Sequence, residues 1–382
     1  MRLLHTGDLH IGKRLGECSL LEDQHHILQE IRRLAQTHQV DALVIAGDVY
    51  DKTLPPAEAV TLLDDFLTGL HQDGIPVLLI SGNHDSPERL GFGARLLSGG
   101  GIYIATELTA EPRPLEFQDA WGRVQVWLLP FVRPATARAV LGQENLATYD
   151  QAVRAMVGQM PIDPCCRQVL VAHQFVTAQG IAPQSCDSEQ ISVGGIDQVE
   201  VSTFAAFDYV ALGHLHGPQS VGRETVRYAG SPLQYSFSEA VHQKSVALVE
   251  LASPGQTSVE LLSLSPLRRV RQIRGRLAQL LAAEVVAAAP AEDYIRAVLT
   301  DEEDLIRPMD QLRRVYPNLL QLAVENRRSG PGLAADAAPQ EPEKTPLEHF
   351  QDFYTQQQGI PPAPEKLNLV EKLLEQIWEE QA

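Results

Sequence analysis

The sequence has few of the features that mark secreted or membrane-spanning chains. It contains four cysteines in 382 residues, Cys18, Cys165, Cys166 and Cys186. Their positions show no paired spacing of the zinc or redox type, so we expect reduced, packed thiols. No apolar run is long enough to span a bilayer, and the amino terminus enters a strand without the segments of a signal peptide. These absences predict a cytoplasmic protein with no membrane partner.

Positive charge is also scarce. The chain has 31 Lys and Arg against 49 Asp and Glu, which gives a formal net charge of -18. An acidic surface repels nucleic acid and anionic membranes, so any polyanion would have to be held locally, by metal ions or a small basic patch. With 382 residues, of which 44% are hydrophobic, the chain can bury a sizeable core in a main domain and at least one smaller domain.

A repeated pattern occurs instead, in which a short apolar strand ends at a carboxylate, amide or imidazole. The β-branched run that begins at Asp41 stops at Asp48. Such a buried strand opens at its carboxyl end onto the crevice where α/β proteins bind ligands. Four other predicted strands end in the same way, at Asp8, His10, Asn83, His84, His173, His214 and His216. Together these five strand ends predict one site.

The order of the predicted elements indicates an α/β fold. Apolar residues recur at helical spacing over residues 20–39 and 57–72, between the first strands, which predicts βαβ units and a parallel sheet. Over residues 101–129, short strands separated by turns are typical of antiparallel pairing, and further strand patterns follow. For residues 1–266 we therefore predict two mixed sheets packed face to face, with helices outside.

The carboxyl-terminal part predicts three further segments. Strand and helix patterns alternate over residues 267–328, as in a small α+β domain, and residues 329–344 have the composition of a flexible linker. Residues 345–382 begin with a capping box and predict a helix pair with an aromatic and aliphatic stripe. That stripe must bury against its own small domain or against a partner, and we favour the partner.

The strand-end side chains are oxygen and imidazole donors without a thiol. This set suits manganese, iron or zinc better than a closed structural zinc site. Seven donors are too many for one tetrahedral ion, but they suffice for two ions that share a carboxylate, an arrangement that serves phosphoryl transfer. Asp48 is the expected bridge because it is central in the predicted sheet. A single histidine is more often a hydrogen-bonded core residue, whereas a buried cluster of Asp and His needs the metal.

Five motifs in this order resemble those of the calcineurin-like metallophosphoesterases. They are residues 7–10, 47–51, 82–85, 173 and 213–216. Further segments resemble the SbcD family, the nuclease subunits of bacterial SbcCD complexes, more closely: residues 23–24, 193–195, 207–214 and 228–232. The resemblance covers essentially the whole chain, with no departure at any motif position. It implies a four-layer α/β/β/α sandwich, a small α+β capping domain that contacts DNA, and carboxyl-terminal helices.

The resemblance also implies a role for each site residue. It divides the ligands into Asp8, His10 and His216 on one ion, Asn83, His173 and His214 on the other, and Asp48 on both. His84 becomes a catalytic residue that donates to the leaving oxygen or steadies its charge. Asp85 is expected to orient the His84 ring, with a turn role as the alternative. The implied cofactors are two Mn²⁺ ions, with Mg²⁺, Fe²⁺ or Zn²⁺ as alternatives.

Basic residues supply candidate DNA contacts. Arg268, Arg269 and Arg271 belong to the densest basic run, which either contacts phosphates or forms a solvated strand that balances nearby acids. Loop residues near the predicted site are expected to guide a DNA backbone into it: Lys13, Arg14, Arg89 and Arg133. Residues 7–14 nearly fit a phosphate-loop pattern, but Arg14 replaces the hydroxyl that would hold magnesium. We therefore expect no bound nucleotide.

The resemblance implies a metal-dependent DNA nuclease, with double-strand 3′–5′ exonuclease and single-strand or hairpin endonuclease activity, in DNA end processing, replication, repair and recombination. The implied partners are DNA ends, hairpins and single strands, the ATPase subunit SbcC, whose coiled coil the helix pair would grip, and a second copy of the chain within a heterotetramer. A nucleoid-associated location follows. The alternatives are a phosphatase or cyclic-nucleotide phosphodiesterase on the same fold, and a non-catalytic scaffold.

Overall fold

The apolar runs of the sequence form strands, because β-branched side chains fit a pleated, buried surface. In the described part of the chain these strands are β1 (Arg2–Thr6), β2 (Arg14–Leu15), β3 (Cys18–Ser19), β4 (Ala42–Ala46), β5 (Val77–Ile80), β6 (Ile102–Ala105), β7 (Leu115–Asp119), β8 (Gly122–Leu129), β9 (Arg167–His173), β10 (Phe175–Thr177), β11 (Gln198–Glu200), β12 (Tyr209–Gly213), β13 (Gln219–Val221), β14 (Arg223–Tyr228), β15 (Ser245–Leu251), β16 (Thr257–Ser263), β17 (Val270–Gly275), β18 (Tyr294–Leu299) and β19 (Leu319–Val324).

Helices connect these strands. They are α1 (Leu21–Thr37), α2 (Ala57–Gln72), α3 (Pro87–Leu90), α4 (Ala94–Leu97), α5 (Pro134–Leu141), α6 (Tyr149–Val157), α7 (Leu277–Leu280), α8 (Ala283–Val286) and α9 (Pro308–Arg313). Three short 3-10 helices cover Ser98–Gly100, Val201–Phe204 and Phe237–Glu239. The two long helices predicted from apolar spacing are thus present as α1 and α2.

This computed structural model describes residues 1–189, 197–303 and 305–325, together with residues 354, 362, 363, 366, 367 and 370. The predicted linker, the predicted helix pair apart from those six positions, and the motif at residues 193–195 lie outside the described residues. The chain divides into two units, Met1–Val324 and Glu325–Ala382. No helix among the described residues is long and apolar enough to cross a bilayer.

Two six-stranded sheets form the main body, with strand orders β16-β15-β1-β4-β5-β6 and β13-β14-β12-β9-β8-β7. In the first sheet β1, β4, β5 and β6 run parallel, and β15 and β16 pair antiparallel beyond β1. The expectation of antiparallel pairing over residues 101–129 is therefore wrong for β6 and correct for β7 with β8, whereas β8, β9, β12 and β14 run parallel in the second sheet. The short helices α3 and α4 separate β5 from β6, and after them β6 enters the sheet in the same direction as β5.

The two sheets pack face to face, with helices on both outer faces. Along β4, Val44 and Ala46 lie in the core between the sheets, whereas Leu43 and Ile45 lie in the core that includes residues of α1 and α2. This alternation follows from the two-residue period of side chains in a strand. Buried residues of α5 and α6, including Val153, pack in a third core with the second sheet. The four-layer α/β/β/α architecture is confirmed.

A small parallel sheet follows the sandwich, in the order β17-β18-β19. It has its own core, in which residues of α7 and α9 pack against residues of β18. Val270 and Tyr294 also lie in the core of the first sheet. The Tyr294 hydroxyl donates to Asp23 Oδ2 of α1 at 2.8 Å. The small sheet is therefore attached to the outer face of the first sheet, within the same unit.

Candidate metal centre

The candidate ligands follow β1, β4, β5, β9 and β12, at the carboxyl ends of parallel strands. The two sheets approach each other closely at this edge. A Cβ atom on Gly213 would overlap the Ala46 carbonyl oxygen, and one on Gly47 would overlap His173 Nδ1. Glycine is needed at both positions because any side chain would push the sheets apart. The sequence thus brings ligands from both sheets to one point.

Four of the candidate ligands have a left-handed backbone. The φ angles are 51° at Asp8, 43° at His10, 47° at Asp48 and 106° at His214. Non-glycine residues rarely adopt positive φ, and when they do they cluster at functional sites. Hydrogen bonds between the loops hold this backbone: the Asp8 N–H donates to Gly47 O at 3.0 Å and the His10 N–H to Asp48 O at 2.9 Å. The His214 N–H donates to Asp8 Oδ1 at 2.8 Å.

Asp8, His10 and His216 form the first group of donors, with one atom from each within 4.8 Å of the others. The Nε2 atoms of His10 and His216 are 3.1 Å apart. If both rings carry their proton on Nδ1, the two Nε2 lone pairs face each other, an arrangement that a cation bound to both nitrogens would favour. Asp8 Oδ2 is buried and makes no hydrogen bond within the described residues. A buried acid oxygen without a partner also fits a metal ligand.

Asp48 lies between this group and a second group of donors, which consists of Asn83, His173 and His214. Its Oδ2 is 3.7 Å from His10 Nε2 and 3.3 Å from His173 Nε2. His173 Nδ1 donates to the Ala46 carbonyl at 2.8 Å, which turns Nε2 of the same ring toward Asp48. Asn83 Oδ1 is 3.0 Å from both His173 Nε2 and His214 Nδ1. All seven sequence-predicted ligands therefore lie around one point, with Asp48 between the two groups.

Burial sets the charges of these side chains. It lowers the pKa of His10 well below its usual value and that of His214 to about 3, so both rings are neutral near pH 7. It raises the pKa of Asp8 well above its usual range. Burial acts in the same direction on Asp48, but the neighbouring imidazoles, His173 first among them, together outweigh it and lower the pKa of Asp48. At His173 burial lowers the pKa, but Asp48, Asp8 and the Ala46 carbonyl together outweigh burial and raise that pKa to about 9.

This donor set fits two divalent cations. Buried carboxylates and unprotonated ring nitrogens that face one point are unfavourable unless a positive charge compensates them. Metal binding requires neutral imidazoles and ionised carboxylates, so a bound cation would displace the proton that His173 otherwise holds. Oxygen and imidazole donors without thiols suit manganese, iron or zinc. Asp48 Oδ2 is the atom nearest to both groups.

His84 lies at the mouth of the cluster, with 13% of its side chain exposed. Its Nδ1 contacts the Asp51 carbonyl oxygen at 3.0 Å, and its Nε2 is 4.0 Å from Asp48 Oδ2. The main-chain carbonyl of Asp51 therefore orients this ring. Sequence reasoning missed that role, because a carbonyl oxygen has no signature in the sequence.

The expectation that Asp85 orients His84 is wrong. The Asp85 carboxylate accepts hydrogen bonds from three main-chain amides, those of Val49 at 3.1 Å, Tyr50 at 2.9 Å and Gly82 at 2.9 Å. Burial and then the charge of Asp48 raise its pKa to about 6. Asp85 thus connects the loops that follow β4 and β5 through hydrogen bonds. This corresponds to the turn role, which was the alternative prediction for Asp85.

The predicted DNA-contacting residues fall into two sets. Two arginines of the basic run pair with acids: Arg268 Nη1 lies 2.8 Å from Asp23 Oδ2, and Arg271 Nε lies 2.6 Å from Asp293 Oδ2. For these two, the ion pairs match the alternative of a strand that balances nearby acids, and the contact of all three arginines with DNA stays a prediction. Arg269 is exposed.

The other set lies in segments that follow β1, β5 and β8, with Arg14 at the start of β2 and Arg89 in α3. Lys13 Nζ is 2.7 Å from Asp51 Oδ1. Arg14 and Arg89 donate to main-chain carbonyls, and the Arg133 guanidinium lies 5.7 Å from the Phe131 ring. The phosphate-loop interpretation gains no support, because the Gly12 amide donates to Gln24 Oε1 at 2.9 Å.

Comparisons with known proteins agree with this geometry. Residues 1–148 match the family model described as calcineurin-like phosphoesterase, and residues 265–358 match SbcD_C, described as Type 5 capsule protein repressor C-terminal domain. A Staphylococcus epidermidis protein, named as the D subunit of the nuclease SbcCD, is 34% identical over 327 residues, which are 85% of each chain.

Solved structures show weaker likeness. A dimetal phosphatase from Danio rerio is 14% identical with a TM-score of 0.44, covering 70% of this chain and 99% of that one. A Thermus thermophilus protein is 12% identical with a TM-score of 0.40, covering 68% and 98%. TM-scores this low give no information on the substrate or mechanism of this chain.

Proposed function

The chain belongs to the SbcD family of calcineurin-like phosphoesterases, and from this we propose that it is a metal-dependent nuclease that hydrolyses phosphodiester bonds in DNA through two bound divalent cations. The observation that carries the proposal is the position of Asp48, whose Oδ2 lies 3.3 Å from His173 Nε2 and 3.7 Å from His10 Nε2. A single carboxylate between two donor groups is the arrangement of a two-metal hydrolytic site.

The ligands divide between the ions as follows: Asp8, His10 and His216 hold one, Asn83, His173 and His214 hold the other, and Asp48 holds both. The physiological ions are Mn²⁺ in this proposal. Two bound divalent cations supply Lewis acidity and make water a nucleophile at neutral pH. His84 presents Nε2 at the mouth of the site, because the Asp51 carbonyl occupies Nδ1. With both ring nitrogens protonated, it would donate a proton from Nε2 to the leaving oxygen or steady its charge.

DNA must be held locally, because the net charge of -18 repels it elsewhere. We assign this role to Lys13, Arg14, Arg89 and Arg133 and test it by charge reversal. Arg133 is exposed on a cavity of about 380 Å³ that also borders Gly82, next to the ligand Asn83. Arg133→Glu should weaken DNA binding, with Arg2→Glu, at an exposed position on β1, as the control. Unchanged DNA affinity across all four reversals would contradict the assignment.

The partner proposed is an ATPase subunit of the SbcC type, bound by residues 345–382. The name of the Staphylococcus epidermidis relative places that protein in an SbcCD complex. Deletion of the residues after Lys344 should abolish co-purification with the ATPase while manganese-dependent cleavage of single strands persists. Loss of both would show that these residues support the nuclease itself.

We also propose a homodimer within a heterotetramer. Phe92 is 87% exposed and Leu96 86% exposed, next to Leu97, around the short helix α4. Exposed apolar side chains this close together mark an interaction surface. Sedimentation of a Phe92→Ser/Leu96→Ser double variant should show the monomer mass, and an unchanged dimer would exclude this surface.

The decisive experiment measures cleavage of a hairpin-ended DNA duplex by chelator-treated protein, with and without added MnCl₂ and the ATPase subunit. Cleavage that requires the metal is the expected result. Turnover of a nucleotide monoester without DNA cleavage would support a phosphatase instead, and protein that binds no added Mn²⁺ would support a scaffold. In this proposal the nuclease acts in DNA end processing and repair, and we expect it with the nucleoid in the cytoplasm.

A further inference from the structure

A buried ion pair lies behind the candidate ligand His216. Glu239 is fully buried and Lys244 is 3% exposed, and Lys244 Nζ lies 2.5 Å from Glu239 Oε2. Burying two charges has a large desolvation cost, so such a pair is weak support for a purely stabilising role. Lys244 Nζ also donates to the His216 carbonyl oxygen at 2.9 Å and to Ser231 Oγ at 2.9 Å. The pair is thus in direct contact with the segment that carries the ligand.

A serine connects the carboxylate of this pair to the ring of His216. Ser188 Oγ is 2.8 Å from His216 Nδ1 and 2.6 Å from Glu239 Oε1. Glu239, ionised beside Lys244, can only accept hydrogen bonds, so the hydroxyl proton of Ser188 points to Glu239. The oxygen of Ser188 is then an acceptor, and the donor to it is the N–H at Nδ1 of His216.

This order of donors fixes the tautomer of His216. With the proton on Nδ1, Nε2 carries a lone pair, and it is this atom that lies 3.1 Å from His10 Nε2 in the first donor group. His173, which also faces the site through Nε2, takes its tautomer from the main-chain carbonyl of Ala46 at 2.8 Å. The tautomer of His216 therefore depends on side chains, and substitution can test it.

We propose that Glu239, acting through Ser188, is a positioning residue that holds His216 in the tautomer that binds metal through Nε2, with Lys244 as the counter-ion that keeps the carboxylate an acceptor. The inference rests on the metal centre of the proposed function and adds residues that the sequence motifs do not include. Partners of this kind, which bind the second nitrogen of a metal-binding histidine, raise metal affinity by about 10- to 100-fold.

The experiment is a titration of the full, chelator-treated chain with MnCl₂, followed by the electron paramagnetic resonance signal of free Mn²⁺. Ser188→Ala should weaken one of the two sites by about 10- to 100-fold and leave the other near its wild-type affinity. Ser188→Thr keeps the hydroxyl and should keep the affinity. Ser236→Ala is the matched control, because Ser236 Oγ donates to the same Glu239 Oε1 at 3.0 Å, whereas the His216 ring bonds to Ser188.

A second variant and a second readout separate this role from general loss of packing. Glu239→Gln combined with Lys244→Met removes both charges without leaving one buried alone, and it should weaken the same site as Ser188→Ala. In protein labelled with ¹⁵N-histidine and loaded with Zn²⁺, the Nδ1-protonated signature of His216 should be present in wild type and lost in Ser188→Ala.

Three results would decide against these proposals. Wild-type affinity at both sites in Ser188→Ala would overturn the positioning role. Equal weakening in Ser236→Ala would overturn it too, because the effect would then arise from the environment of Glu239 in general. Wild-type protein that binds no Mn²⁺ would instead refute the proposed function, and the two failures are therefore distinguishable.

Discussion

Replacing His84 with glutamine tests the proposed chemistry most directly, because it removes the titratable ring and leaves the surrounding contacts. The hydrogen bond of 2.9 Å from His84 to Asp48 Oδ1 uses the main-chain N–H and survives any substitution. The side chain bonds to the Asp51 carbonyl through Nδ1 at 3.0 Å, and the amide group of glutamine can donate to the same oxygen. What the variant loses is the ring nitrogen Nε2 at the mouth of the site.

The expected decrease in cleavage rate follows from the loss of this nitrogen. A positioned general acid contributes about 10²- to 10⁴-fold to rate, or about 3–5 kcal/mol of barrier, so the rate of DNA cleavage should fall by that factor. Metal affinity should not change, because Nε2 lies 4.0 Å from Asp48 Oδ2, outside the group of assigned ligands. With the ring at the mouth of the site rather than in a core, stability should change by less than about 1 kcal/mol.

The assay combines single-turnover cleavage of a hairpin-ended duplex with Mn²⁺ titration of the same preparations. His25→Gln, at an exposed position of α1, serves as the control for the substitution itself. Unchanged cleavage in His84→Gln would refute the assigned role of His84. Loss of one Mn²⁺ ion together with activity would show that His84 is a ligand, as its distance of less than 4.8 Å from His10 and Asp48 donors permits.

Three further predictions concern the shared carboxylate, a buried arginine and a buried histidine. Asp48→Asn should weaken both Mn²⁺ sites, and one site of wild-type affinity in the titration would contradict a bridge. Changing Arg167 to alanine should cost about 1–3 kcal/mol in urea unfolding, because Arg167 is 2% exposed and donates to main-chain carbonyls as well as to the partly exposed Asp119; a loss below about 0.5 kcal/mol would contradict this role. Burial lowers the pKa of His5 from 6.5 to about 3, so as pH falls below 6.5 the unfolded chain takes up the proton first and stability decreases. The free energy of unfolding should therefore fall by about 2 kcal/mol between neutral pH and pH 5 because of His5. His5→Gln, compared with wild type by urea unfolding at both pH values, should lack this part of the decrease. An equal decrease in the two proteins would refute the assigned role of His5.

Local patterns determined much of the fold. The apolar spacing over residues 20–39 and 57–72 predicted α1 and α2, because helical periodicity repeats within a few residues. The candidate ligands were equally visible, because each follows an apolar run that ends at a polar side chain. The sequence did not show the direction of β6. That direction depends on how α3 and α4 lead the chain from β5 back to the sheet.

The sequence by itself therefore determined the residue types, the strand ends and the number of donors, since these are properties of short segments. Only the tertiary structure decided which atoms meet. The contacts that the sequence did not show are made by distant segments or by the main chain. They are those of the Asp51 carbonyl with His84, of main-chain amides with Asp85, of acids with Arg268 and Arg271, and of a serine with Glu239 and His216. Such contacts depend on sheet register and on the packing of loops across two sheets, and no local pattern of side chains encodes them.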